Sequence, residues 1–308
     1  MKQNERLVDV IKGCLYGVAI GDSLGATVEF MTADQIVSQY GKLTEIIGGG
    51  HCSWKPGTGT DDTAMTLAIA DGLLDCELDG DPVEMVGKRF VDWYRTGPKD
   101  IGHTCRLVIG LASDQGMIAK PTREQWFAAS RQAHQYLCGK SGGNGTLMRT
   151  APVALLTNGE RMRDLAMDLS DMTHYDPDAG TACLIYCAII SRLIRGYIPK
   201  EAVYTSVWRT EYQDIENMQP NSTGYVKDTF RTALWGLTRT NTFEDALVEV
   251  VNLGGDADTA GAVVGGLAGA VYGFSMIPDR WVNALDKGLK THLDAIVDAA
   301  VAFWQARK

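Results

Sequence analysis

The sequence predicts an all-α fold, a compact orthogonal helical bundle that forms one domain over residues 1–308. Amphipathic segments with apolar residues at helical spacing recur along the whole chain. No segment shows the strict alternation of apolar and polar residues that is typical of a strand, and no hairpin signal or internal repeat is present. Two segments carry glycine at every fourth position, which predicts two helices packed closely at the centre of the bundle.

The composition is that of a soluble globular protein, with 45% hydrophobic and 22% charged residues. A net charge of −9 disfavours general nucleic-acid binding, which needs a basic surface. The seven cysteines are odd in number and form no CxxC pair, so neither a disulfide framework nor a zinc ribbon is expected. Residues 1–6 show no signal-peptide pattern, and together these features predict a reducing, cytoplasmic location.

The first glycine-bearing segment, 5–28, is predicted to be a helix. Each glycine inside a helix costs about 1 kcal/mol relative to alanine, so a regular series indicates that another backbone packs against it. The second segment, 260–278, carries no charge and admits two interpretations, a transmembrane helix with GxxxG spacing or a buried helix. Its small residues and acidic start favour the buried helix, so no membrane span is expected. The two series, here called glycine rails, are Gly13, Gly17, Gly21 and Gly25, and Gly261, Gly265, Gly269 and Gly273.

Capping signals and apolar periodicity place the other helices. Thr32 and Gln35 form a capping-box pattern that opens a short helix to about residue 40. After the glycine-rich loop 41–59, a helix is predicted over 60–78. Asp81 and Pro82 open the next helix, which runs to about residue 95. Further helices are predicted over 104–113, 122–138, 160–173, 178–197, 199–210, 225–239, 279–289 and 291–306. One more helix is predicted to begin after Thr242, which caps it.

Two acidic stretches almost two hundred residues apart carry the chemistry. They are Thr60-Asp61-Asp62-Thr63 and Gly254-Gly255-Asp256-Ala257-Asp258-Thr259, and each leads from a glycine-containing loop into a helix. One such stretch is usually only compensation of the helix dipole. Four carboxylates in one place would repel one another unless they were protonated or bridged by a cation. Because all the donors are oxygens, the pattern predicts a pair of hard metal ions, Mg, Mn or Ca rather than zinc.

Five motifs in a fixed order make the chain similar to a known family. The sequence resembles the ADP-ribosylglycohydrolase family over nearly its whole length. The resemblance implies an all-α fold with a binuclear Mn2+ or Mg2+ centre in a central cleft, and hydrolysis of an α-linked ADP-ribose, typically from arginine. The motifs are GDSLGATVEF at 21–30, TDDT at 60–63, GNGTLMR at 143–149, THYDP at 173–177 and GGDADT at 254–259.

The resemblance also assigns roles by position. In the implied reaction, either a metal-bound water with lowered pKa or a carboxylate base such as Asp256 or Glu29 would deliver the nucleophile to C1 of the ribose. Asp100 would hold the ribose or assist ring chemistry. The implied metal ligands are Thr60, Asp61, Asp62, Asp256, Asp258 and Thr259.

The implied substrate contacts lie in four other segments. Gly143, Asn144 and Gly145 would face the pyrophosphate or ribose, His174 would line the diphosphate or adenosine side, and Tyr225 would lie against the leaving group. His103 stands where close relatives usually carry asparagine. Two interpretations remain open for it, a titratable substrate contact and a loop histidine with no catalytic duty.

Three functions are compatible with this pattern. The first is a metal-dependent hydrolase that frees ADP-ribose from a modified arginine of a protein. The second is a hydrolase of another ADP-ribose linkage, to serine or in O-acetyl-ADP-ribose, and the third is a catalytically silent ADP-ribose-binding member of the fold. In an organism that fixes nitrogen, the resemblance suggests the nitrogenase iron protein as substrate and a signalling protein as regulatory partner.

Overall fold

The computed structural model describes residues 3–307, and within that range the protein is α-helical, with β-structure limited to isolated bridges. The predicted all-α class is therefore confirmed. Met1 and Lys2, part of the segment examined for a signal peptide, lie outside the described residues. The helices are α1 Gln3–Gly25, α2 Ala33–Tyr40, α3 Asp61–Leu74, α4 Pro82–Tyr94, α5 His103–Ala112, α6 Arg123–Tyr136, α7 Ala151–Leu156, α8 Gly159–Asp171, α9 Pro177–Arg195, α10 Pro199–Val207, α11 Val226–Arg239, α12 Phe243–Val251, α13 Ala257–Tyr272, α14 Asp279–Ala284 and α15 Lys287–Gln305.

Helices α1 and α13 pack backbone to backbone along the glycine rails, as predicted. A Cβ atom on Gly17 would lie 2.0 Å from the carbonyl oxygen of Gly265, and one on Gly21 would lie 1.9 Å from that of Gly261. No side chain fits at such distances. Since Gly13 faces Gly269 while Gly21 faces Gly261, the two helices run antiparallel. The acidic start of α13 is thereby brought to the C-terminal end of α1.

One residue of the second rail was placed wrongly. Gly273 lies beyond the end of α13 and has φ +86°, where a side chain would be strained. A Cβ atom added to Gly273 would lie 2.0 Å from Asp9 Oδ2. The position that faces Gly25 is instead Ala257, in the first turn of α13.

Other differences from the predicted elements lie where the pattern carried little information. Helix α7 was not predicted, because all six of its residues are buried and it therefore shows no amphipathic period. The predicted helix over 60–78 ends at Leu74. The break between the last two helices falls before Lys287 rather than near residue 290, because Asp286 caps α15 by accepting hydrogen bonds from the amides of Gly288 and Leu289.

Within residues 3–307, helix α9 alone is long and apolar enough to cross a membrane. In its most apolar window, 67% of the residues are buried inside the fold. Such burial is typical of the core helix of a globular protein. The uncharged segment 260–278, which raised the question in the sequence, forms the buried helix α13 and a short turn after it.

Candidate metal centre and substrate cleft

The two acidic stretches meet at the N-terminal ends of α3 and α13. Thr60 caps α3, and its hydroxyl accepts a hydrogen bond from the amide of Asp62 at 3.2 Å. From the other stretch, the Thr259 hydroxyl donates to Asp62 Oδ2 at 3.3 Å. Asp62 and Asp258 are almost fully buried, with 1% and 2% of their surface exposed. Residues far apart in sequence therefore share one buried acidic cluster.

Asp22 of α1 holds the start of α3 in place. Its carboxylate accepts hydrogen bonds from the amides of Thr60 and Thr63, at 2.9 and 3.0 Å, and from the Thr63 hydroxyl. Asp22 therefore has an internal hydrogen-bonding role. Because α1 packs rigidly on α13, this anchor also fixes α3 relative to α13.

Glu29 reaches the cluster because its segment is tied to the glycine turn before α13. The amide of Phe30 donates to the carbonyl of Gly255 at 2.7 Å, and the amide of Gly255 donates to the carbonyl of Met31 at 2.8 Å. Carboxylate oxygens of Glu29, Asp256 and Asp258 then lie within 4.8 Å of one another. Glu29 itself is only 8% exposed.

Burial and mutual repulsion raise the pKa values of these carboxyl groups. Burial raises the pKa of Asp61 to about 7, and the charge of Asp100 adds to the effect. Burial, followed by repulsion from Asp100, raises the pKa of Glu29 to about 9. The pKa values of Asp62 and Asp258 are raised well above their ordinary value by burial and by neighbouring carboxylates. If all of these groups were ionised, the cluster would carry more negative charge than its protein surroundings compensate.

The chemistry of the cluster fits hard divalent cations. Asp62 Oδ1 and Glu29 Oε2 are buried and have no hydrogen-bond partner among the described residues. Glu29 Oε2 lies 3.1 Å from His51 Nδ1, but the geometry is not that of a hydrogen bond. Buried oxygens that lack donors, in a set made of carboxylates and threonine hydroxyls, are what Mg2+ and Mn2+ bind.

A cleft of about 390 Å³ opens above the cluster. Its floor includes Asp61 and Asp258, and Gly143, Asn144 and Gly145 form one wall. The Asn144 amide donates to Asp256 Oδ2 at 2.8 Å, which fixes that carboxylate at the edge of the floor. Of the candidate residues, the cleft is lined by Glu29, Asp61, Asp100, His103, Gly143, Asn144, Gly145, His174, Asp256, Asp258 and Thr259.

A buried relay sets the hydrogen-bonding state of His174. Arg149 Nη2 donates to the Thr173 hydroxyl at 2.6 Å, and that hydroxyl lies 2.9 Å from His174 Nδ1. The described residues offer the Thr173 proton no other acceptor, so Nδ1 accepts it and Nε2 carries the ring hydrogen. Burial, together with the charge of Arg149, lowers the pKa of His174 to about 3, so the ring is neutral. Nε2 faces the wall at Gly143, where a Cβ atom would lie 3.2 Å away.

Arg149 places an unneutralised positive charge behind this wall. It is fully buried and, among residues 3–307, forms no ion pair with a carboxylate. Its other neighbours are the Leu169 carbonyl and the Cys105 sulfur, each at 3.3 Å, and the Phe90 ring at 4.6 Å. This end of the cleft therefore favours an anion.

The remaining candidates lie at the edges. His103 is exposed at the first position of α5, where it lines the cleft. Tyr225 is not among the cleft-lining residues, and its hydroxyl donates to Asp178 Oδ2 at 2.7 Å. Its ring lies beside Gly142, next to the turn at Gly143.

Sequence reasoning gave no role to two residues that the structure places at the site. His51 lies outside the five motifs, yet its ring, Glu29 and Asp100 offer ligand atoms within 4.8 Å of one another. Phe30 has φ +64°, is 67% exposed, and its ring centroid lies 4.9 Å from that of His51. The path of the glycine-rich loop 41–59 decides both contacts, and no local pattern encodes that path. A positive φ at an aromatic residue marks strain of the kind found at functional sites.

Comparisons with known proteins agree with this architecture. The sequence model of the ADP-ribosylglycohydrolase family matches residues 3–308. The chain is 36% identical to the ADP-ribosyl-(dinitrogen reductase) glycohydrolase of Rhodospirillum rubrum, over 94% of the chain and 95% of that protein. It is 31% identical to the ADP-ribosylarginine hydrolase Tri1 of Serratia proteamaculans, over 90% of the chain and 75% of that protein. A solved structure described as an ADP-ribosylglycohydrolase-related protein complex superposes with a TM-score of 0.79 at 30% identity, covering 98% of the chain and 99% of its own.

Proposed function

The chain belongs to the ADP-ribosylglycohydrolase family and is a hydrolase, and from this premise we propose that it removes ADP-ribose from a modified arginine of a protein in a metal-dependent reaction. The observation that carries the proposal is the buried oxygen cluster at the floor of a cleft whose far wall favours an anion. A sugar bound above the cluster would have its diphosphate beside His174 and Arg149.

The arginine linkage is supported by the relatives. Two bacterial relatives that are 31% and 30% identical to the chain are named ADP-ribosylarginine hydrolases. Hydrolysis of a serine or acetyl linkage is the alternative within the same chemistry. A silent binding protein is disfavoured because every acidic residue of the cluster is present, and Asp61, Asp256 and Asp258 line the cleft.

Two divalent ions, Mn2+ or Mg2+, are proposed as cofactors. Thr60, Asp61 and Asp62 would hold them from α3, and Asp256, Asp258 and Thr259 from α13. When bound, such ions supply positive charge that grips the ribose hydroxyls and favours ionisation of water. They would also displace the protons that these carboxyl groups otherwise hold.

The carboxylates of the chain perform the proton transfers in this proposal. A water molecule attacks C1 of the ribose, the C1–N bond breaks, and positive charge develops on the ring. Glu29, whose Oε2 lacks a partner, or Asp256, which Asn144 holds in place, accepts a proton from the attacking water. That proton passes to the guanidine nitrogen, and the products are ADP-ribose and the unmodified arginine. Asp100, whose carboxylate lies beside Glu29, holds the ribose or stabilises the charged ring.

The opposite wall binds the rest of ADP-ribose in this proposal. His174 donates a hydrogen bond from Nε2 to the diphosphate, and the turn at Gly143, Asn144 and Gly145 contacts the pyrophosphate or ribose. His103 lies where it would contact the substrate at the rim. Tyr225 lies beside the turn at Gly143 and remains a proposed substrate-binding residue.

The modified protein and the product ADP-ribose are the proposed partners. The name of the Rhodospirillum rubrum relative supports the nitrogenase iron protein as the substrate in an organism that fixes nitrogen. A regulatory signalling protein and a cytoplasmic location belong to the same proposal. Nucleic acid is not proposed as a partner, because the net charge of −9 opposes it.

Release of ADP-ribose from defined substrates tests the proposal. The protein is incubated with Mn2+ and a protein modified on arginine, and in parallel with a serine-linked protein and with O-acetyl-ADP-ribose. Release from the arginine substrate supports the proposal. Release only from the other two supports the alternative linkage, and binding of ADP-ribose without release from any substrate contradicts an enzymatic role.

A further inference from the structure

The cleft has two ends of opposite electrostatic character, and an unbroken series of contacts connects them. At one end, His174 lies against Gly143, with the Arg149 charge behind it. From there Asn144 contacts Asp256, and Asp256 lies within 4.8 Å of Glu29. The anion-favouring end therefore lies on one side of the carboxylates.

Beyond Glu29 lies the other end. His51 is 3.1 Å from Glu29, and the exposed ring of Phe30 packs on His51. An aromatic face next to a carboxylate favours a cation. ADP-ribosylarginine has a diphosphate on one side of its ribose and a guanidinium on the other. Charge complementarity thus orients the substrate with its arginine toward Phe30.

A second groove, of about 590 Å³, begins where the cleft ends at Phe30. Glu29, Phe30 and His51 line both depressions, so they form a ridge that the two share. On its far side the groove is walled by one face of α2, with Gln35, Ser38 and Gln39 at helical spacing. These three side chains are exposed.

We propose that this groove, here called the α2 groove, binds the polypeptide that flanks the modified arginine. The inference rests on the proposed function, since it takes the substrate to be a protein modified on arginine. The occupant is an extended segment of that protein, whose ADP-ribosylarginine side chain crosses the ridge at Phe30 into the cleft.

Three features of the α2 groove fit a peptide. Its volume lies within the range of roughly 300–1,000 Å³ that is usual for ligand sites. Within the described part of the chain, no lysine or arginine lines the groove, so the cationic side chain is not repelled. Glutamine, serine and tyrosine side chains along α2 offer both donors and acceptors to the amide and carbonyl groups of an extended chain.

Comparing a protein substrate with a small one tests the proposal. Ser38→Trp places an indole in the α2 groove without touching the cleft. With the Mn2+-loaded enzyme, we expect KM for an arginine-modified protein to rise about tenfold and KM for free ADP-ribosylarginine to stay unchanged. Val37→Trp is the matched control, since Val37 is an exposed neighbour on the same helix that does not line the groove, and it should change neither KM.

The outcomes separate this proposal from the function on which it rests. Equal KM values for wild type and Ser38→Trp on the protein substrate would overturn the docking surface, as would an equal rise for both substrates. If Ser38→Trp does not fold, Gln39→Ala provides a second test. It removes a side-chain amide that lines the groove, and it should likewise raise KM for the protein substrate alone. Should wild type release nothing from either arginine substrate, the proposed function itself is wrong.

Discussion

Thr173 decides which nitrogen of His174 carries the ring hydrogen, although it does not line the cleft. Thr173→Val keeps the shape of the side chain and removes the hydroxyl. We expect the preference for the Nε2–H form to be lost and the affinity for ADP-ribose to fall about 5- to 30-fold, the equivalent of one hydrogen bond. Nitrogen-15 NMR of the imidazole and calorimetric titration with ADP-ribose measure the two effects.

Two variants make the Thr173 prediction specific. Thr173→Ser restores the hydroxyl and should restore both the tautomer and the affinity. Thr157→Val removes another buried hydroxyl, one that bonds only within α7 to the Val153 carbonyl, and should leave both unchanged. An unaltered tautomer in Thr173→Val would contradict the relay.

Asp62 is the carboxylate that connects the two acidic stretches. Asp62→Asn keeps its size and removes its charge. We expect Mn2+ affinity to drop by more than the roughly 10- to 100-fold that is typical of changes outside the ligand shell. The metal-free protein should unfold at an equal or higher temperature, because one of several repelling buried carboxylates is gone. Titration followed by Mn2+ electron paramagnetic resonance and thermal unfolding in chelator test the two parts, and unchanged Mn2+ affinity would exclude Asp62 as a ligand.

The residues of the cluster could be predicted from the sequence, whereas the residues that orient them could not. Asp61 and Asp258 stand in motifs whose oxygen donors indicate their chemistry directly. Arg149 also lies in a matched motif, but its importance comes from burial without a carboxylate partner, which only the packing of α5, α8 and the cleft wall determines. His51 reaches Glu29 through an irregular loop whose path has no periodic signal.

At the scale of helices, the contact between α1 and α13 positions the whole site. Gly265→Ala adds a Cβ atom 2.1 Å from the Gly17 carbonyl oxygen. The gain of about 1 kcal/mol in helix propensity is outweighed by the separation of two backbones, so we expect the free energy of unfolding to fall by about 3 kcal/mol or more. Urea unfolding measures the change.

A glycine in another helix provides the control for this prediction. A Cβ atom on Gly110 of α5 would meet only the flexible side chain of Gln115, at 3.0 Å or more. Gly110→Ala should therefore alter stability by less than about 1 kcal/mol. A similar fall in the free energy of unfolding in both variants would show that α1 and α13 are not packed as tightly along the glycine rails as described.

Helices were predictable wherever one face meets water and the other meets the core. The spacing of the glycines predicted both α1 and its partner, because glycine is costly in a helix unless close packing requires it. Helix α7 escaped prediction because it is buried on every side. Gly273 was assigned to the rail because spacing alone does not distinguish a helical glycine from one that ends the helix with a positive φ.

For the whole molecule, the acidic cluster makes the stability of the metal-free protein depend on pH. Asp61 and Glu29 have pKa values of about 7 and 9 in the folded chain, against ordinary values near 4. The folded state therefore holds protons that the unfolded chain has released. Because the folded state binds more protons, the free energy of unfolding falls as the pH rises through this window. Thermal unfolding in chelator should show the melting temperature decreasing from pH 5 to pH 9.

Divalent ions should reverse this trend. A cation neutralises the carboxylates that repel one another, so stabilisation by Mn2+ should be larger at pH 8 than at pH 5. Parallel melts with Mn2+ and with chelator provide the comparison. Equal Mn2+ stabilisation at both pH values would contradict coupling between the cluster and the metal.

The central claim is that the acidic stretches at 60–63 and 254–259 together hold two divalent cations at the floor of one cleft. Anomalous diffraction at the manganese edge, from crystals grown with Mn2+, tests it most directly. We predict two peaks about 3.5–4 Å apart, bound by oxygens of Asp61 and Asp62 on one side and of Asp256 and Asp258 on the other. No peak between these carboxylates, in crystals where Mn2+ occupies other positions, would contradict the claim.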